Sequence, residues 1–294
     1  MSSSEQGPGR IRVGLSGWVY RDWRGDFYPR GLPQRAELAH VAGLFAAVEV
    51  NASFYRLQRP ATYQSWAAQV PQDFVFAVKG GRFLTHLRRL DGVETALANF
   101  LASGVLALGP RLGPLLWQLP PTLAWEPGRG RERVEAFLDL LPRTTGAAAA
   151  LAQGHDERLA GRAWTTTDAD RPLRHALEVR HDSFDDPSFV AALARAGVAL
   201  VLADTAGRWP ALRERTAGFA YLRLHGETEL YASGYSPASL ERWAALVREE
   251  AAGGRDVLVF FDNDVGGHAP RDAVALSRAL GLGPGPSFAG TGQG

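Results

Sequence analysis

The chain has 294 residues, 46% of them hydrophobic, with 32 basic against 31 acidic residues and a formal net charge of +1. That is enough apolar material for one large core or two small ones, and too little net charge for bulk electrostatic attachment to nucleic acid or a membrane. Cysteine is absent, which excludes disulfides, thiolate metal sites and a cysteine nucleophile.

Residues 1–10 are rich in Ser, Gly and Pro and lack an apolar centre, so they are expected to form a disordered tail rather than a secretory leader. No run approaches the roughly 20 apolar residues of a membrane span. The expectation is a cytoplasmic protein with no membrane partner. Strand-like residues 11–17 come next, followed by a loop with Trp18, Tyr20, Trp23, Phe27 and Tyr28, dense in aromatics. Leu38, Val41, Ala42 and Phe45 recur at helical spacing and predict a helix over 34–45. A second strand is expected over 46–51, and Pro60 opens a second helix, since proline favours the first helical position.

Residues 74–80 read as a buried strand: five apolar residues, preceded by Pro71 and closed by Gly80 and Gly81. It ends in Lys79, the only lysine of the chain. A protein that writes its other basic residues as arginine does not need lysine for solubility, so this ammonium is expected at the mouth of a sheet or barrel. A helix over 93–101, a strand over 114–119 and a helix over 131–140 follow. Residues 142–171 are the least readable, with a short helix expected over 147–151. Strand five covers 175–181. Asp186 and Pro187 then give a helix start, with Gly197 just past its end. Strands six and seven, 198–204 and 219–225, leave space for only a short helix between them. Ser236 and Pro237 open a long helix ended by Gly253 and Gly254. Strand eight, 256–261, and a helix over 270–280 complete the domain, and a Gly-rich tail over 282–294 is expected to be disordered.

Strands alternating with helices imply a parallel sheet, and eight such units predict α/β architecture as a single (β/α)8 TIM barrel over residues 11–281. The alternative is an open doubly wound sheet, disfavoured because no Gly-rich phosphate loop follows the first strand.

Residues two apart on a strand share a face. Counted from the strand ends, Glu49, Asn51, Lys79, Gln118, Glu178, Arg180, Asp204, Arg223, His225, Asn263 and Asp264 are candidates for one polar ring at the barrel mouth. Charged groups inside an apolar barrel cost several kcal/mol each unless paired or solvated, so such a ring calls for a function. Glu49, Lys79, Glu178 and His225 are the catalytic candidates. Trp18, Asn51, Tyr55, Gln118, Arg180, Asp204, Arg223, Asn263 and Asp264 are the ligand-binding ones, with Arg180 and Arg223 suited to fork onto a phosphate or carboxylate. No cofactor is expected. A divalent metal on Glu178, Asp204, His225 and Asp264 is an alternative, opposed by three cations in the same ring. A Schiff base at Lys79 is a further option, opposed by the neighbouring carboxylates, which raise a lysine pKa. Tyr231 and Tyr235 are candidates for a lid moving about Gly226 and Gly234. The expected partner is a small anionic ligand. Arg82, His86, Arg88 and Arg89 after strand three leave nucleic acid as an alternative.

Six segments carry a resemblance to a known family: Gly17 to Gly25, Val48 to Tyr55, Phe76 to Lys79, Leu116 to Pro121, Glu178 to His181 and Phe260 to Asp264. In this order they resemble the YecE-like family, a domain of unknown function, over about residues 11–281. The resemblance implies a TIM barrel and no settled activity. Asp262 stands where the family more often has asparagine. The barrel is similar to the xylose-isomerase and endonuclease-IV-like group, which makes a metal-dependent phosphodiesterase an alternative to acid–base chemistry on a small phosphorylated or sugar-like anion; a non-catalytic binder is a third. The endonuclease-IV-like barrels hold their metals with several histidines, and no such array is present here.

Overall fold

A computed structural model describes residues 7–283. Its core is a closed barrel of eight parallel strands in sequential order: β1 Ile11–Ser16, β2 Ala47–Val50, β3 Val75–Lys79, β4 Leu112–Gln118, β5 His175–Glu178, β6 Ala199–Asp204, β7 Phe219–Leu224 and β8 Asp256–Phe261. β8 closes on β1 with Ile11 opposite Val257. The helices are α1 Glu37–Ala42, α2 Ala52–Tyr55, α3 Pro60–Ala67, α4 Glu94–Ala102, α5 Arg129–Leu140, α6 Thr145–Ala152, α7 Pro187–Ala196, α8 Pro237–Ala252 and α9 His268–Ala279.

The expected TIM barrel is therefore the fold. Predicted caps hold where the chemistry is local. Asp186 accepts from the Ser188 amide at the start of α7, and Gly197 ends it in the left-handed region at φ 60°. Ser236 caps α8 through the Ser239 amide. The helix expected over 34–45 is shorter: a 3-10 turn at Gln34–Ala36 leads into α1. The short helix expected over 147–151 is α6, capped by the Thr144 hydroxyl. Residues 205–218 connect β6 to β7 without a helix. The tails expected over 1–10 and 282–294 lie largely outside the described residues, and within the first of them Gly9 and Arg10 bond Ala251 and Asp256.

Two apolar layers result. The outer one lies between strands and helices. The inner one fills the lower barrel with Ala47, Ala77, Ala176, Ala199 and Ala203 packed around Leu116, Tyr221, Leu258 and Phe260. Small and large residues alternate, so the barrel is a plugged core, not a pore. Polar groups lie beyond this layer at both ends: Arg12, Arg174 and Asp256 at the N-terminal end, and a larger set at the C-terminal end. No helix among the described residues is long and apolar enough to cross a membrane.

Candidate functional site

Above the apolar plug the inward positions turn polar, starting with Ser16, Glu49, Gln118, Glu178, Arg223 and Asp262. The hub is Arg223, fully buried on β7. Ala203 stands in register with it on β6, and its short side chain leaves space for a guanidinium. Arg223 Nε donates to Glu49 Oε2 at 3.0 Å, and Nη2 donates to Glu49 Oε1 at 2.8 Å. Nη1 donates to Glu178 Oε2 at 2.6 Å, and Nη2 also to Asp262 Oδ2 at 2.7 Å and Ser16 Oγ at 3.1 Å. Three carboxylates around one cation offset the desolvation that a single buried charge cannot. Burial opposes the charge on Arg223, but Glu49, Asp262 and Glu178 raise its pKa well above the ordinary value.

Glu49 is locked by this arrangement. Ser16 Oγ donates to its Oε1 at 2.5 Å and Tyr221 Oη to its Oε2 at 2.6 Å, besides the two bonds from Arg223. Glu178 accepts from Gln118 Nε2 at 2.8 Å and Arg180 Nε at 2.9 Å. Burial alone would raise the Glu178 pKa; Arg223 and Arg180 hold it well below the usual range. His225 Nε2 faces Arg223 Nη1 at 3.3 Å. Because a guanidinium only donates, Nε2 accepts, which puts a ring proton on Nδ1, 3.0 Å from Asp262 Oδ2.

Glu49, Glu178 and His225, expected to be catalytic, are thus sealed inside the network at 0% exposure and act as supports. Of the four catalytic candidates only Lys79 lines the cavity above. Arg223 is no ligand clamp, since all its N–H groups are committed. Asp204 points outward: it pairs with Leu224, one step out of phase with the Ala203–Arg223 pair. Asn263, between the inward Asp262 and Asp264, is also outward and donates to Ser233 O and Asp272 Oδ2. Trp18 packs edge-to-face on Trp66. The four proposed metal ligands do not converge, and among the described residues no three His, Asp or Glu side chains form a metal-holding group. Tyr235 is a packed residue whose Oη accepts from the Gly226 amide.

The cavity has a volume of about 560 Å³ and opens at the C-terminal mouth. Asn51, Tyr55, Lys79, Gln118, Arg180 and Asp264, all expected ligand or catalytic residues, line it. Tyr20, Phe54, Arg82, His86, Tyr231 and Asp262 complete the wall. Of these, Arg82 and His86 were singled out in the sequence as a basic patch and Tyr231 as a lid residue, and the structure brings them to one cavity wall. The Arg180 guanidinium stacks on Trp209 at 4.0 Å and donates through Nη2 to Tyr231 Oη at 2.9 Å. Its Nη1 has no partner among the described residues.

Three further polar groups of the wall are left without partners. Lys79 Nζ lies over the Phe54 ring at 4.5 Å and makes no hydrogen bond or ion pair among the described residues. Asp264 Oδ1 and Asn51 Oδ1 are buried and unbonded. Burial lowers the Lys79 pKa to about 8, with Arg223 adding to the effect against the nearby carboxylates. The objection to a reactive lysine drawn from those carboxylates therefore does not hold: Arg223 consumes their charge. Burial raises the Asp264 carboxyl to about 8, with the negative charge of Asp262 adding to it. Asp262 itself is held well below the usual range: burial would raise it, but Arg223 and His225 prevail. Adjacent carboxyls one residue apart are thus driven in opposite directions. His86, at the rim, is lowered to about 4 by burial and by Lys79, and is neutral at pH 7.

The family model described as "Protein of unknown function DUF72" matches residues 12–289. The chain is 29% identical over 122 residues to the protein YunF of Bacillus subtilis, covering 38% of this chain and 40% of that protein. It is 30% identical over 132 residues to the protein YecE of Escherichia coli K12, covering 45% of this chain and 44% of that one. The matches thus span under half the length of these curated relatives. The crystal structure of a DUF72 family protein from Thermotoga maritima superposes with a TM-score of 0.75 at 23% identity, over 92% of this chain and 99% of that one, and shares its fold.

Proposed function

The chain belongs to the DUF72 family, and we propose that its barrel mouth is the active site of an enzyme that performs acid–base chemistry on a small phosphorylated or sugar-like anion. One observation carries this reading: Lys79, Asp264 and Asn51 line one cavity, and Lys79 Nζ, Asp264 Oδ1 and Asn51 Oδ1 have no partner among the described residues, at the mouth where barrel folds place their chemistry. A buried polar group without a partner is costly, and a ligand that supplies the partner removes that cost.

In this reading the ligand anion meets the Lys79 ammonium and Arg180 Nη1. Asp264, kept protonated at pH 7, gives its proton to an oxygen of the ligand that becomes negatively charged. Asn51 Oδ1 accepts from a ligand hydroxyl. Glu49, Glu178 and His225 fix the Arg223 hub, which keeps Asp262 ionised and so keeps Asp264 neutral. Lys79 and Asp264 both lose their protons above about pH 8, so activity declines there.

The test is a turnover screen of the wild type, Asp264→Asn and Lys79→Met against a panel of sugar phosphates. Turnover of at least one compound is expected. Asp264→Asn is expected to lower kcat by about 10²-fold or more with little change in KM, and Lys79→Met to raise KM. Turnover that survives both substitutions, or phosphate binding without any turnover, contradicts the reading.

A further inference from the structure

Beside the mouth lies a second cavity of about 440 Å³, walled by Phe54, Tyr55, Phe83, Leu84 and Leu87 and edged by Arg56, Arg82 and Arg158. Its surface is unusual for this protein. Five large hydrophobic residues are exposed among the described residues, and three of them, Tyr55, Phe83 and Leu87, line this one groove. Exposed apolar side chains gathered in a concave patch, rather than scattered, mark a binding surface.

The backbone is built to display them. β3 ends against β4 so closely that a Cβ on Gly80 would sit 2.2 Å from the Trp117 ring. A single π-helical turn, Phe83–Leu87, follows. It buries Leu84 and Thr85 and leaves Phe83 and Leu87 in solvent. Arg89 and Leu90 then adopt left-handed conformations at φ 48° and 63°. π-turns and left-handed non-glycine residues are costly and gather at functional sites.

The groove is continuous with the mouth. Phe54, Tyr55 and Arg82 belong to both walls, and Phe54 carries the Lys79 ammonium on its face. We infer that the two cavities take one ligand in two parts: a phosphate head at Lys79 and Arg180, and a planar aromatic ring in the groove against Tyr55, Phe83 and Leu87. The substrate class is then a phosphate ester that carries an aromatic ring. The choice of a ring over a saturated chain follows from the wall, which offers aromatic faces and guanidinium planes on which a flat π-system stacks. The inference rests on the mouth being a phosphate site and adds the specificity of that site.

Titration calorimetry with methyl phosphate and 1-naphthyl phosphate tests it. For the wild type, the naphthyl ester is expected to bind about tenfold or more tightly than the methyl ester, the gain of one stacked ring. The double substitution Phe83→Ser with Leu87→Ser is expected to erase that advantage and leave methyl phosphate unchanged. Both side chains are exposed, so folding is not at risk from a lost core contact; Phe83→Ser alone, at a residue that lines the groove and not the mouth, serves as the second variant. Lys79→Met is expected to weaken both esters. Equal affinities of the wild type for the two esters, with both binding, overturn the aromatic subsite alone. An advantage that persists in the groove variants does the same. Absence of binding by either ester overturns the subsite and the phosphate reading of the mouth together.

Discussion

At the scale of single residues the molecule depends on one division of labour. Arg223 absorbs the charge of three carboxylates, and of these only Asp262 reaches the cavity wall, beside Lys79 and Asp264, which Arg223 does not bond. Arg223→Met strands Glu49 and Asp262 as buried carboxylates without their cation and leaves Glu178 with Arg180 alone. The expected cost is about 3–5 kcal/mol in urea unfolding. Adding Glu49→Gln is expected to restore part of it, because one of the stranded charges is then gone; a double variant no more stable than the single one contradicts the hub role. The two perturbed groups leave separate marks on stability against pH. Asp264 is raised from 3.8 to about 8, so between those values the folded chain holds a proton that the unfolded chain has lost. Its contribution falls with rising pH by about 1.4 kcal/mol per unit across that window. Lys79 is lowered from 10.5 to about 8, so between about pH 8 and 10.5 the unfolded chain holds the extra proton, and stability rises with pH. Asp264→Asn is expected to remove the fall and Lys79→Met the rise, read from urea midpoints over pH 5–10; identical pH profiles in wild type and variants contradict both shifts. Much of this was legible. The two-residue period placed Glu49, Lys79, Gln118, Glu178, Arg180, Arg223 and Asp264 on the inward face. What no single chain reveals is which charges pair with each other, and that decided that Arg223 is consumed by the network while Lys79 lines the cavity without a partner among the described residues.

At the scale of elements, the period failed where both faces of a strand are apolar. β6 reads Ala-Leu-Val-Leu-Ala-Asp, and in a parallel strand buried on both sides no alternation marks the inward face. Counting from the strand end gave Asp204, whereas Ala199, Val201 and Ala203 point inward. Ser16 was missed although it lies within the expected strand 11–17: a small hydroxyl carries no charge to mark it as part of a polar ring. Register supplies what composition lacks, since Ser16 stands opposite Glu49. β3 carries the sharpest test at this scale. A methyl on Gly80 meets the fully buried Trp117 ring, whose Nε1 donates to His175 Nδ1 at 3.1 Å and cannot shift freely. Gly80→Ala is expected to destabilise by about 1–3 kcal/mol, the cost of overpacking. It is also expected to weaken ligand binding, because Lys79 precedes it; a variant as stable as the wild type contradicts the close approach.

At the scale of the whole molecule, the barrel was readable because eight strand–helix units leave few closed arrangements, and caps such as Asp186 and Ser236 fixed helix starts locally. The mouth was less so: Tyr20, Phe54, Arg82 and Tyr231 converge from different loops, and their meeting depends on the barrel closing. An inner layer of Ala, Phe260 and Tyr221 separates the C-terminal mouth from the charged cluster of Arg12, Arg174 and Asp256 at the other end. At the mouth a single ammonium, that of Lys79, is buried in the cavity wall and makes no ion pair among the described residues. Because Lys79 is the only lysine, protein grown with 13C-labelled lysine gives one side-chain Cε signal. Its titration by NMR reads the ammonium directly. The expected midpoint is about 8, moving upward when methyl phosphate is added, since a bound anion favours the charged form. A midpoint at the ordinary 10.5, unmoved by the phosphate, contradicts the claim that this lysine is a buried, ligand-facing cation.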